Sequence, residues 1–190
     1  MNGIVTLAPG QVETLWQHWL LYERWNRVLN LSSVRTLESA IVRHYCESLF
    51  LGSRIGKGSA QVVDAGSGAG FPGFPIAVLR SNCGVVLVES HRRKAVFLKE
   101  AVRRIPNVRV FSGRLKELNG HFDWLVSRAV AWKQLARDAA RLADRVGLLV
   151  SSADAQDVAR DDRFKWNDRL AIPWRKDGVV LVAEVSRGTS

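Results

Sequence analysis

The stretch VVDAGSGAGFPGFP, residues 62–75, decides how the rest of the chain reads. A short apolar run gives way to Gly66, Gly68, Gly70 and Gly73, with Pro72 and Pro75 closing the segment. Glycine loses more backbone freedom on folding than any other residue, so this density is costly unless a positive φ or a close backbone approach requires it. A strand followed by a glycine turn that opens a helix meets that requirement. Its N–H groups and the helix N-terminus then face whatever binds there. The prolines suit a helix start, where a missing N–H does no harm.

The flanking sequence supports that context. Strands are expected at residues 61–65, 84–89, 108–111, 124–127 and 147–151, and helices at 74–80, 91–105 and 132–145. Such alternation specifies an α/β fold with a mostly parallel sheet covered by helices on both faces. Asp177-Gly178, between residues 174–176 and 179–185, signals a terminal antiparallel hairpin. Ahead of the first strand, residues 9–29 read as an amphipathic helix with Val12, Leu15, Trp16, Trp19 and Leu20 at helical spacing. Thr36 caps a second helix reaching about Phe50, with Leu37, Ile41, Tyr45 and Leu49 on one face. The Gly-rich residues 52–58 form a linker, which divides the chain into a helical cap (1–58) and a sheet domain (59–190).

Composition narrows the class. The 190 residues are 47% hydrophobic and 24% charged, as in an ordinary globule. No run approaches the ~18 apolar residues that span a bilayer. The N-terminus lacks the basic-then-apolar pattern of a signal peptide. Cys46 and Cys83 are not spaced as a metal pair. A cytoplasmic protein with no metal and no membrane partner is expected. The net charge of +10 points to a polyanion, with a merely solvated basic surface as the alternative. Arg92, Arg93, Lys94, Lys99, Arg103, Arg104, Arg109, Arg114 and Lys116 face only Glu100 between residues 91 and 116.

Two cofactors fit the loop. Gly68-x-Gly70-x-x-Gly73 matches a dinucleotide fingerprint, and Asp64-x-Gly66-x-Gly68-x-Gly70 matches the loop of S-adenosylmethionine enzymes. Glu89, closing the second strand, stands where a ribose would be bound in either case. Asp64, the two prolines and the terminal hairpin favour S-adenosylmethionine. A nicotinamide enzyme would need a catalytic Tyr-Lys pair or a Cys/His relay, and Tyr22 and Tyr45 both precede the sheet.

Four stretches together resemble the small-subunit ribosomal RNA guanine-N7 methyltransferase family, also called glucose-inhibited division protein B. They are WNRVLNLSSVRTLESAIVRHYCESL (25–49), DAGSGAGFPGFPIAVLR (64–80), LVESHRRKAVFLKEAVRR (87–104) and FDWLVSRAVA (122–131). The resemblance implies a class I S-adenosylmethionine-dependent methyltransferase fold, Rossmann-like, with a helical N-terminal cap. It implies S-adenosyl-L-methionine as methyl donor and N7 of one guanine in 16S rRNA as acceptor, with the RNA or the small ribosomal subunit as partner; a monomer is expected. Cofactor contacts would come from Asp64, Gly66, Ser67, Gly68, Gly70, Phe71 and Glu89, with Leu115 and Lys116 flanking the adenine. Arg128 would touch cofactor or guanine and is the candidate catalytic residue. Asn30, Arg43, His44, Arg92, Arg93 and Arg114 are the candidate RNA contacts.

The chemistry agrees. Guanine N7 carries a free lone pair, so methylation needs alignment rather than proton removal. Ser127-Arg128-Ala129 is not the Asn-Pro-Pro-aromatic turn used on exocyclic amines, and arginine donates well to guanine O6. Some readings stay open: Arg128 as a phosphate contact or a surface salt bridge, His44 as a packed core histidine, Asn30 as a helix terminator, and Trp16, Trp19 and Trp25 as core. Two departures from the family pattern stand out. Lys116 replaces an acid, which returns as Glu117, and residues 150–154 lack a Lys-Gly pair after the fifth strand. They leave a weak or inactive RNA-binding relative, or a methyltransferase of another RNA, as the alternative.

Overall fold

The computed structural model describes residues 5–187. Its centre is a seven-stranded sheet of β1 (Gln61–Ala65), β2 (Gly84–Glu89), β3 (Val108–Ser112), β4 (Phe122–Arg128), β5 (Ala143–Ser151), β6 (Phe164–Ala171) and β7 (Gly178–Val185). The strand order is β3-β2-β1-β4-β5-β7-β6. The first five strands pair in parallel, β7 runs antiparallel to β5, and β6 is antiparallel to β7. The chain order reverses at β1, between β2 and β4, so the glycine loop leaves the sheet at its switch point, where ligands bind in such folds.

Helix α1 (Pro9–Leu29), a second helical rod, α4 (Gly73–Leu79) and α5 (Arg92–Ala101) bury one sheet face in a single apolar core. Helix α6 (Trp132–Leu142) covers the opposite face with Leu135, Ala136, Ala139 and Leu142. Helix α7 (Ser152–Val158), which the sequence pattern did not announce, packs Ala155 and Val158 beside β5 and β7. Among the described residues no helix is long and apolar enough to cross a membrane.

The terminal hairpin forms, but with a different first strand. Residues 164–171 make β6, while residues 174–176 lie in its connection to β7. There the Trp174 indole N–H donates to the Val42 carbonyl at 3.2 Å, tying the connection to the N-terminal helices.

Both N-terminal helices form with faces other than those expected. In α1 the buried side chains are Leu15, His18, Trp19, Tyr22 and Asn26, whereas Val12, Trp16 and Leu20 are exposed. The polar members of the inner face satisfy their own hydrogen bonds, so burial does not follow hydrophobicity alone. In the second rod, Thr36 Oγ1 accepts from the Ser39 N–H and starts α2 (Leu37–Ala40). A π-helix (Ile41–Cys46) follows, and then α3 (Glu47–Gly52). The wider π turn rotates the chain relative to a 3.6-residue period. It exposes Ile41 and turns His44, Tyr45, Glu47 and Ser48 inward.

Candidate active site

The glycine loop requires its glycines individually. Gly66, Gly68 and Gly70 have φ of 74°, 57° and 91°. An L side chain pays roughly 1–2 kcal/mol in that region. A Cβ on Gly66 would also lie 2.6 Å from Val130 Cγ2. Gly73 serves packing instead: a Cβ there would meet Leu87 Cδ2 at 2.5 Å and Asp64 Oδ2 at 2.7 Å. The Gly66 and Ser67 N–H groups both donate to the Val88 carbonyl at 3.0 Å, and Ser67 Oγ donates to the Asp64 carbonyl at 3.0 Å.

Asp64 lies beneath this loop. Its Oδ2 accepts from the Gly73 N–H at 2.9 Å, and its buried Oδ1 has no partner. Burial pushes the Asp64 carboxyl up to about 7, against the pull of the Gly73 N–H. Glu89 closes β2 at the loop's edge. Its Oε2 accepts from the Gly68 N–H at 2.9 Å and its Oε1 from the His91 N–H at 2.7 Å.

Beside the loop lies a groove of ≈ 420 Å³ whose walls include Gly66, Ser90, Arg114, Leu115, Lys116 and Val130. It brings Gly66 together with the Leu115–Lys116 pair that the family resemblance implied, while Asp64, Ser67, Gly68, Gly70 and Glu89 are not on its wall. Glu117 does not line it. Its Oε2 turns back to accept from the Arg114 N–H at 2.9 Å, closing the turn that presents Lys116. Phe71 is not on its wall either. The ring points into the N-terminal helices, stacked on His44 at 4.6 Å and edge-on to Tyr45 at 5.1 Å.

A second cavity, ≈ 640 Å³, opens at the C-terminal ends of β4 and β5. Arg43, Arg128, Lys133, Asp154 and Arg175 line it, and Val130 borders both spaces. Ala129 joins Arg128 to Val130 with φ of 59°, a conformation that a residue with a Cβ holds only under constraint. Residues 151–154, where the Lys-Gly pair is missing, cap α7: Ser151 Oγ accepts from the Asp154 N–H at 3.1 Å and donates to Asp154 Oδ2 at 2.6 Å.

Arg128 is embedded in a network. Its Nη1 donates to His44 Nδ1 at 2.8 Å, and its Nη2 lies 3.6 Å from Glu47 Oε2. A guanidinium has no acceptor, so His44 carries its proton on Nε2 and donates to Ser32 Oγ at 3.0 Å. Burial, and then the Arg128 charge, lower His44 to about 3. Burial raises the Glu47 carboxyl against the opposing charges of Arg128 and Arg175. A second neutral histidine, His18, donates from Nε2 to the Ala69 carbonyl at 3.1 Å and accepts from the Tyr45 hydroxyl at 2.7 Å, bracing α1 against the loop. Burial lowers it to about 3.

The candidate RNA contacts divide. Arg43 borders the second cavity, and Arg114 the groove. Arg92 and Arg93 are exposed on the first turn of α5. Asn30 ends α1 in the left-handed region, its Oδ1 accepting from Arg35 Nη2 at 2.7 Å. None of the nine cations between residues 92 and 116 forms an ion pair with a described residue; Arg114 and Lys116 line the groove, whereas Arg103 and Arg104 line a separate cavity beside α1. Sequence reasoning passed over Glu47, Arg175 and His18. Glu47 lies off the face of Leu37, Ile41, Tyr45 and Leu49 that a 3.6-residue period assigns to the core, and only the π-helix turns it inward. Arg175 gave no local signal.

Comparison with known proteins gives one consistent result. The family model described as GidB, rRNA small subunit methyltransferase G, matches residues 11–152. Two curated relatives named ribosomal RNA small subunit methyltransferase G come from Nitrosomonas europaea and Nitrosospira multiformis. The first is 46% identical over 113 residues, covering 57% of this chain and 52% of the relative. The second is 39% identical over 136 residues, covering 67% and 62%. The matched part thus spans between half and two thirds of those relatives. Among solved structures, magnesium protoporphyrin IX methyltransferase of Synechocystis, with bound S-adenosylmethionine, superposes with TM-score 0.62 at 18% identity over 96% of this chain and 99% of that one. The fibrillarin pre-rRNA processing protein of Methanococcus jannaschii gives 0.57 at 15% identity over 67% and 66%. The fold is that of the class I methyltransferases.

Proposed function

The chain belongs to the rRNA small subunit methyltransferase G family, and from that membership we propose that it methylates N7 of a guanine in small-subunit ribosomal RNA, with S-adenosylmethionine as donor. The observation that carries this reading is the junction at Val130. The groove beside the glycine loop and the cavity at the ends of β4 and β5 share that side chain, so a donor and an acceptor have adjoining places.

The residues fit the donor. The cradle at Gly66 exists only because no Cβ fills it, and a carboxylate stands at the end of β2. Gly66, Gly68 and Glu89 would hold the ribose and the methionine part of the cofactor, and Leu115 and Lys116 its adenine. Asp64 acts from below, by fixing Gly73 and so the loop's shape. When bound, the cofactor supplies an electrophilic methyl group on sulfur. The chain's task is then alignment and exclusion of water, since N7 has a free lone pair and no proton must leave before attack. Arg128 lines the acceptor cavity, where its guanidinium can donate to O6 on the same edge of guanine, next to N7. His44 holds that guanidinium and, at about 3, stays neutral at working pH. The unpaired cations of α5 and its flanks, including Arg92, Arg93 and Arg114, would carry the RNA backbone.

The test uses small ribosomal subunits and naked 16S rRNA that lack the modification, with labelled S-adenosylmethionine and mapping of the product by mass spectrometry. Label on guanine N7, lost in Arg128→Ala, is expected. Cofactor binding without transfer to either acceptor would sink the reading and favour an RNA-binding relative without turnover.

A further inference from the structure

Glu47 is a fully buried carboxylate to which methyl transfer gives no task. It stands in the first turn of α3 and meets two arginines from distant parts of the chain. Arg128 Nη2, at the end of β4, is 3.6 Å away, and Arg175 Nη1, in the β6–β7 connection, is 3.2 Å away. Each guanidinium is fixed from a second side. His44 accepts from Arg128, and Asp177 Oδ1 accepts from Arg175 Nε at 3.2 Å. Arg128 and Arg175 side chains keep 15% and 24% of their surface exposed, and both line the acceptor cavity, as does Arg43.

A buried Arg–Glu–Arg cluster is a poor device for stability, because apolar side chains of similar volume do as well or better. Its value lies in geometry. Two guanidiniums repel one another, and one carboxylate between them is the least charge that holds both in place. Three arginines against two carboxylates, Glu47 and Asp177, leave this wall with one positive charge in excess, with Lys133, Asp154 and Asp157 elsewhere on the same cavity. Paired planar forks of N–H donors match the oxygens of a phosphodiester.

We propose that Glu47 is a positioning residue that holds Arg128 and Arg175 as a paired site for the backbone phosphate flanking the target nucleotide, with Arg175 as a substrate contact. The inference rests on the RNA-methyltransferase reading above. Arg128 serves both ends of the acceptor in this arrangement, the base through O6 and the backbone through the shared clamp.

The test compares wild type with Arg175→Ala, Glu47→Gln and Glu47→Asp. RNA binding is followed by anisotropy over a range of salt, cofactor binding by calorimetry, and methyl transfer with RNA and cofactor varied separately. Arg175→Ala is expected to flatten the dependence of log K on log salt by about one phosphate contact and to raise KM for RNA about tenfold, leaving cofactor affinity within about twofold. Glu47→Gln should do the same, and Glu47→Asp should retain more RNA affinity than Glu47→Gln because it keeps the charge. Should Glu47→Gln fail to fold, Arg175→Ala carries the test alone. A wild-type salt slope and RNA KM in Arg175→Ala, or parallel loss of cofactor and RNA affinity in Glu47→Gln, would overturn the clamp. A wild type that neither binds nor methylates rRNA removes the functional reading and the clamp with it; a wild type that does both while the variants match it removes the clamp alone.

Discussion

Arg128 donates from Nη1 to Nδ1 of His44 at 2.8 Å, a bond between residues 84 positions apart. It joins the end of β4 to the π-helix and fixes the imidazole tautomer. The ring also stacks on Phe71, so one histidine links the cavity at the ends of β4 and β5 to the glycine loop. His44→Ala forfeits a hydrogen bond to a charged group, about 1.5–3 kcal/mol, and an aromatic contact of about 0.5–1.5 kcal/mol. Urea unfolding should show a loss of about 2–4 kcal/mol, and methyl transfer should fall at least about tenfold. His44→Gln, whose carbonyl can accept from Arg128, should recover part of both. Equal losses in the two variants would show that the bond is not what matters.

Three buried groups give stability a composite pH dependence. His18 and His44 are held at about 3 against 6.5, so the unfolded chain binds more protons between those values and stability rises with pH there. Asp64 works the other way. Its carboxyl, raised to about 7 from 3.8, makes the folded chain bind more protons in that window, so stability falls as pH rises from ~4 to ~7. Asp64→Asn keeps an acceptor for the Gly73 N–H and removes the titration. Its stability relative to wild type should therefore grow between pH 4 and pH 7.5, by a few kcal/mol at most. Urea midpoints across that range measure it, and a difference independent of pH would refute the assignment.

The glycine loop and the parallel strands were legible in the sequence because each rests on local chemistry, whereas Leu115 and Lys116 came only from the family resemblance. A positive φ demands glycine, and a strand buried on both faces reads as an apolar run. The faces of the first two helices were not legible. Nothing in the order of Ile41, His44 and Tyr45 announces a π turn, and a 3.6-residue period then assigns Ile41 to the core and overlooks Glu47. Phe71 was assigned to the cofactor by the family resemblance, and its ring lies with His44 and Tyr45. Arg175 joins Glu47 across 128 positions, a contact set by how the hairpin lies against α3 and not by any neighbour in sequence.

Glu89 accepts from two backbone N–H groups, Gly68 at 2.9 Å and His91 at 2.7 Å. Glu89→Gln can satisfy only one of them and turns an NH₂ toward the other donor. Cofactor affinity should fall at least about tenfold, while RNA affinity at fixed salt stays unchanged. Calorimetry with S-adenosylmethionine, beside anisotropy with rRNA, separates the two. A parallel fall in RNA affinity would mean that Glu89 shapes the whole site rather than the donor groove.

Gly66 and Val130 form the contact on which the two cavities meet. Gly66→Ala combines a φ of 74° with a Cβ placed 2.6 Å from Val130 Cγ2. The backbone strain costs about 1–2 kcal/mol, and the clash must be relieved by moving either the loop or the Ser-Arg-Ala turn. Val130→Ala removes the clashing methyl but not the strain. The single variant Gly66→Ala should lose cofactor affinity and at least about 2 kcal/mol of stability, and adding Val130→Ala should return part of the stability, giving a coupling of about 1 kcal/mol in the double-mutant cycle. Ala129, already at φ of 59°, sits next to Val130, so a loop that shifts toward the turn would disturb Arg128 as well. Methyl transfer in Gly66→Ala should then drop even at saturating cofactor, and it should recover in the double variant. Additive effects of the two substitutions would show that the loop and the turn are not coupled through this contact.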